Sequence, residues 1–374
     1  YKHYINLLFF HNKQANIINT IEIHRKQPNI TLAQHIQNKR LQLGKEISKK
    51  YKIYLDLRFW IFFRDIELGN NNDQDLINLL QKIKYLVDNG KVVCPISATV
   101  FLELMKQNDT ETRMATAKII DHLSFGVTLI ASPERVKQEL CNATYSILGT
   151  KDSIPIDQLV WTKLSYIFGD YHPYNTSFDA AEELIIQKSF FDHMWDISLV
   201  EMMNHINHES WEQFDWQKTA EMLNLANKEH TNELRSYQHA YRIEFDGVLS
   251  LFNEQLIQIF KEAYKAGYNN DEINNKKKSK NEKFKQFAQL VRTLHIGASC
   301  HAAVRWDQKR QLNGNDLLDF HHAEAALGYC DLFLTEKPLK VLVSQEHLGL
   351  RELFSCSVES SASEGLKILN MCKI

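Results

Sequence analysis

The 374-residue chain lacks a charge surplus: 44 basic residues stand against 46 acidic ones, for a formal net charge of −2. A global basic field is therefore excluded, and any nucleic acid must be gripped by local patches. The six cysteines, Cys94, Cys141, Cys300, Cys330, Cys356 and Cys372, form no C-x-x-C pair. Their wide spacing argues against a disulfide framework or a zinc site and for free thiols in a reducing compartment. No apolar run approaches the ~20 residues that a bilayer requires. The run Tyr4-Ile5-Asn6-Leu7-Leu8-Phe9-Phe10 has no small-residue cleavage pattern after it and is not read as a signal peptide. The chain begins at Tyr1 rather than Met, which leaves upstream residues open. A soluble, cytoplasmic protein with no membrane partner is the expectation. A Walker loop and a G-x-G-x-x-G turn are absent as well, so two common phosphate-binding devices are missing.

What is present is concentrated in residues 315–336, which read as a helix opening on acids, stopping at Gly328 and passing into the short apolar strand Leu332-Phe333-Leu334. Asp316 and Asp319 lie in the first helical turn after Asn315 as cap, where the helix dipole favours acid in any case. Thr335 and Glu336 follow the strand. In an open α/β sheet, ligands and metals gather beyond the carboxyl ends of the strands, so Asp319 could meet Thr335 and Glu336 at one rim.

Two further units supply acid at matching places. Tyr51-Lys52-Ile53-Tyr54-Leu55 is a β-rich run that ends in Asp56. Val92-Val93-Cys94-Pro95-Ile96 leads to Ser97, a natural cap for a helix that carries Glu103. Acids gathered at one rim repel one another unless a divalent cation neutralises them. Hard oxygen donors of this kind suit Mg²⁺ or Mn²⁺, which can acidify a bound water and polarise a phosphoryl oxygen.

Together, the Asp-terminated strand, the strand-then-helix with Glu, and the Asp-x-x-His-Ala helix running into Phe-Leu-Thr resemble a PIN-domain nuclease of the bacterial toxin or defence type. The resemblance covers residues 51–145 and 290–374. It implies a three-layer α/β/α domain with a central, mostly parallel sheet. It implies metal-dependent endonuclease activity, on RNA ahead of DNA, and a regulatory protein or antitoxin as a further partner. Asp56, Glu103 and Asp319 match the first three acids of the family's pattern. The fourth departs from it, because Glu336 stands after Thr335 where the family commonly has Asp. Asp331 competes for that role, although it precedes the strand and should lie at its far end. Thr335, Lys337 and Arg58 are the expected substrate contacts, with Arg58 and Trp60 equally readable as anchors of their helix. His321-His322 could be ligands or phosphate contacts, and reads first as one core histidine and one surface histidine on a helix. Another metal-dependent phosphohydrolase class is disfavoured by the absence of a His-Asp dipeptide. The alternative from a different class is a catalytically silent scaffold whose helical insertion binds a partner protein.

Around this core, residues 1–50 read as a helical lead-in with Thr31 as a cap, packing on the first part of the domain, its basic face mostly solvated. Strands alternating with helices from 51 to 145 argue for a parallel, doubly wound sheet. From 146 to 289 strand-like runs disappear and aromatic-rich helical segments take over, which reads as an all-helical insertion whose aromatics form core. It closes on a polar, basic linker at 269–285, read as a solvated loop or, less simply, a phosphate-gripping arm. Residues 290–374 complete the domain.

Overall fold

The computed structural model describes residues 14–148, 154–206, 214–265 and 286–372. The basic linker expected at 269–285 and the first part of the lead-in lie outside them. The chain folds as a mixed, predominantly helical α/β protein around a parallel sheet of four short strands. These are β1 (Tyr51–Leu55), β2 (Val92–Val93), β5 (Leu332–Leu334) and β6 (Ser357–Glu359), in the order β2-β1-β5-β6. The register sets Ile53 against Leu332 and Leu55 against Leu334, so the two central strands end level. The last three residues of β1 and all three of β5 are buried, as expected of parallel strands covered on both faces.

The remaining strands, β3 (Val127–Leu129) and β4 (Trp161–Lys163), pair antiparallel. β3 also meets the end of the β2 segment, through a parallel bridge from Ile96 to Thr128. The all-helical insertion thus requires a correction: it contributes β4. Val160-Trp161-Thr162 has β-forming residues, yet three residues give no alternation long enough to read.

Helix starts follow local chemistry closely. Asp73, Asp109 and Asp179 cap Gln74–Asp88, Thr110–Ser124 and Ala180–Trp195 through backbone N–H groups, and Thr31 forms a capping box with Gln34. The expected stop at Gly328 falls one residue short of the helix end, which spans Gly314–Tyr329. A Cβ there would stand 3.3 Å from Cβ of Arg292, so glycine serves a close crossing with the helix Arg292–Trp306. The cap is Asn313, not Asn315, in a capping box with Asp316, whose carboxylate also takes Arg310 at 2.6 Å.

The main core gathers around β1 and β5 and includes Tyr54, Trp60, Phe63, Phe101, Phe320 and Phe333. Phe190, Phe191 and Trp195 of the insertion belong to this same core. A second core, with Val136, Leu140, Phe245, Val291 and Leu294, joins the later insertion to the helices Ser132–Leu148 and Arg292–Trp306.

The lead-in helices Gln14–Arg25 and Leu32–Ile47 pack on the insertion helix Ala180–Trp195. Asp192 holds them there: His24 and His35 each meet a different oxygen at 2.8 Å, and Lys39 reaches one at 3.1 Å. Burial alone would raise the Asp192 pKa, but the bonds from His24 and His35 and the Lys39 charge take it well below the usual carboxylate range. Asp192→Ala is expected to cost about 2–3 kcal/mol, since three polar partners lose one buried acceptor. Because the folded pKa is depressed, that stability is present above the ordinary aspartate pKa and fades as pH falls below it. Urea unfolding at pH 7 and pH 3 should show the variant's deficit at the higher pH and its decline at the lower.

Candidate active site

Three strands deliver side chains to one edge of the sheet. Asp56 directly follows β1 and its N–H donates to the Leu334 carbonyl at 3.1 Å, which sets it beside Thr335 at the end of β5. It also caps the helix Leu57–Glu67, accepting from the Phe59 N–H at 3.3 Å. Glu103 comes from the helix Ala98–Leu104 beyond β2, and Asp319 from the second turn of Gly314–Tyr329. Glu336 follows Thr335 as the exposed first cap of Lys337–Val343, without a side-chain hydrogen bond to that helix.

The hub of the group is His322, one helical turn from Asp319 and 2% exposed. Its Nε2 lies 2.8 Å from Glu103 Oε2 and its Nδ1 2.9 Å from the Tyr54 hydroxyl, which in turn meets the Ser97 hydroxyl at 2.6 Å. Glu103 is thereby tied to three buried residues. The sequence reading of one core and one surface histidine did not say which was which and missed these contacts; the available signal was the i+3 spacing of His322 from Asp319.

The electrostatics are those of crowded acid. Burial pushes Asp56 up to about 6, opposed by the His322 charge and by the neighbouring Thr335 hydroxyl and Phe59 N–H, while Glu103 adds to the rise. The Thr335 oxygen is close enough to draw Asp56 down, yet it is buried without a partner at full hydrogen-bond geometry. Asp319 rises to about 7: burial is the largest cause, His322 opposes it, and Asp56, Glu336 and Glu103 each push it higher. His322 is pushed down by burial, but Glu103, Asp56 and Asp319 outweigh that and leave it raised.

Asp56, Glu103, Asp319 and Glu336 thus act on one electrostatic centre. They do not close into an all-protein cage. Among the described residues, the one group with three ligand atoms within 4.8 Å of one another is His24, His35 and Asp192, whose carboxylate is already filled by three donors. The acid rim still fits a hard cation. It offers carboxylate and hydroxyl oxygens, and two acids whose pKa values are raised by burial first and by neighbouring acids second. Mg²⁺ keeps several waters and commonly takes only one or two carboxylates, so a spread donor set suits it.

Asp331 requires a correction as a catalytic candidate. It stands before β5, where its carboxylate accepts from the Lys52 N–H at 2.7 Å and pairs with Lys52 Nζ at 2.8 Å. It therefore pins the opposite end of the sheet. Arg58 is exposed two residues after Asp56, with its guanidinium 5.1 Å from the Phe62 ring centre, and Lys337 is exposed next to Glu336. Trp60 is fully buried and donates to the Leu55 carbonyl at 3.1 Å, which makes it an anchor of its helix.

These features define a class: a mixed α/β protein with a short parallel sheet and a carboxylate centre at the carboxyl ends of its strands. No protein-family model, curated protein or solved structure matches the chain. Among the described residues, no helix is long and apolar enough to cross a membrane.

Proposed function

We propose that the chain is a PIN-like, metal-dependent endonuclease that hydrolyses phosphodiester bonds in RNA, with a toxin or antiviral effector role under the control of a partner protein. The observation that carries this reading is the convergence of Asp56 and Asp319 on one electrostatic centre with Glu103 and Glu336. They come from elements far apart in sequence, and both are held above the ordinary carboxylate range at one end of the parallel sheet. Burial is the largest cause of both shifts and the neighbouring acids add to it, a cost that stability alone gives no reason to assemble.

Asp56 and Asp319 would hold Mg²⁺ or Mn²⁺ directly, with Glu103 and Glu336 completing the shell through water. A cation so bound supplies Lewis acidity and a water acidified for attack on phosphorus. The chain's own residues do the rest. His322, fixed by Tyr54, orients Glu103. Lys337 and Arg58, both exposed beside the acids, offer positive charge to the phosphates. The Thr335 hydroxyl is a spare polar contact. The net reaction adds water across a P–O bond, and the departing oxygen leaves with a proton.

One observation favours the scaffold alternative: Glu103 is already bonded to His322, and no three of the acids lie at single-ion distances. Cleavage separates the two readings. Transfer RNA, structured RNA and single-stranded DNA are incubated with Mn²⁺, Mg²⁺ or EDTA, using wild type and Asp56→Asn. The expected result is RNA cleavage that requires the cation and falls by about 10³-fold in the variant. No cutting together with no divalent-ion binding would move the assignment to a scaffold.

A further inference from the structure

A cavity of about 480 Å³ borders the acid centre, and nothing in the hydrolytic chemistry uses it. Its position follows from helix geometry. Leu318, His321 and Ala325 line it, at i, i+3 and i+7 on the helix that carries Asp319 and His322 on the adjacent stripe. Ser97 and Leu102 line it from the helix start that carries Glu103.

Its walls suit a flat, mostly apolar group with one polar edge. Phe168, Trp216 and Phe252 contribute aromatic surface, on which any base can stack. The polar end is Glu324, 8% exposed. Its Oε2 takes His321 Nδ1 at 3.0 Å and the Ser132 hydroxyl at 3.5 Å, while Oε1 has no donor among the described residues. Gly297 makes room for that oxygen: a Cβ there would stand 2.3 Å from it. A carboxylate on a buried residue, with one oxygen that takes no donor among the described residues and with a cavity of ligand size beside it, can receive N–H groups from a ligand.

We propose that this cavity reads guanine, with the Glu324 carboxylate accepting from N1–H and the exocyclic N2–H of a base turned out of the strand. The proposal rests on the nuclease reading for its substrate. Guanine alone among the common bases presents two adjacent donors on its Watson–Crick edge. Adenine and cytosine set a ring-nitrogen acceptor beside their amino group, and uracil flanks its one N–H with carbonyls; either would turn lone pairs toward an acceptor-only carboxylate. Although burial raises the Glu324 pKa, the His321 charge and hydrogen bond lower it more, so the carboxyl is ionised at neutral pH.

The test is a calorimetric titration of the full chain, without metal, with GMP, IMP, AMP, CMP and UMP. GMP should bind at least about 10-fold more tightly than AMP, CMP or UMP, and IMP, which lacks the N2 amino group, about 10-fold more weakly than GMP. Glu324→Gln should remove the preference for GMP, whereas Asp56→Asn should keep it. The IMP comparison carries the test if Glu324→Gln fails to fold. Equal affinities for the five nucleotides, or no GMP binding, would overturn the proposal. Cleavage with Mn²⁺ on RNAs with and without guanosine then separates the two readings. Cutting indifferent to guanosine removes the base assignment and leaves the nuclease; guanine-selective binding without any cutting removes the nuclease and leaves the pocket.

Discussion

Asp319→Asn is expected to act in opposite directions on activity and stability. Metal-dependent cleavage should fall by about 10³-fold, because the substitution removes one of the two acids assigned to hold the cation. The metal-free variant should nevertheless be more stable than wild type at pH 8, on the order of 2–4 kcal/mol. The sign follows from linkage. The Asp319 pKa in the folded chain is raised to about 7, so its contribution is fully present below the ordinary aspartate pKa and is lost as pH rises through about 7. The amide carries no charge to bury and escapes that loss. Asp56, raised to about 6, keeps its own smaller step in both proteins.

Urea unfolding in EDTA at pH 5 and pH 8 measures the effect directly. Wild type should lose stability between the two values, and the variant should lose less. Mn²⁺ added at pH 8 should raise the wild-type melting temperature and leave that of the variant nearly unchanged, since a ligand that binds only the folded state stabilises it by an amount that grows with the logarithm of its concentration over Kd. A variant as unstable as wild type at pH 8 would mean that Asp319 is not held among unneutralised acids. The metal assignment would then lose its main support.

Much of this centre was legible because strand ends announce themselves. Tyr51-Lys52-Ile53-Tyr54-Leu55-Asp56 and Leu332-Phe333-Leu334-Thr335 are apolar runs that break sharply into polar residues, and the structure ends β1 and β5 there. The caps Thr31 and Ser97 could also be read ahead, because their preference is set by one or two backbone groups nearby; Thr31 caps through its side chain, whereas Ser97 occupies the cap position without such a bond. What stayed hidden depends on contacts made across the fold. His322 joins Glu103 and Tyr54 over separations of 219 and 268 residues, and no local pattern encodes that. Gly328 carried a stop signal in sequence, but its missing side chain is needed for the approach of Arg292. The lead-in was expected on the first part of the domain, yet it packs on the insertion through Asp192, a residue with no local signal of its role.

The largest purely structural loss is expected from Glu139→Ala. Glu139 is fully buried and accepts from the Thr293 N–H at 3.1 and 3.0 Å, from the Thr293 hydroxyl at 2.6 Å, and from the Tyr329 hydroxyl. Helix starts leave their first N–H groups without partners, and Val291, the cap of Arg292–Trp306, provides no side-chain acceptor. Glu139 therefore caps that helix from another part of the chain. Burial pushes its carboxyl up, against the pull of Thr293, Tyr329 and Arg135. The same carboxylate fixes Tyr329, the last residue of the helix that bears Asp319. Truncation would strand three buried donors and open a void, at a cost of about 3–5 kcal/mol. Glu139→Gln keeps the volume and one acceptor, so its cost should be about half as large. Denaturant midpoints of the two variants test the account. Equal losses would assign the effect to charge rather than to the stranded donors, and no loss in either would mean that the helix finds its cap elsewhere.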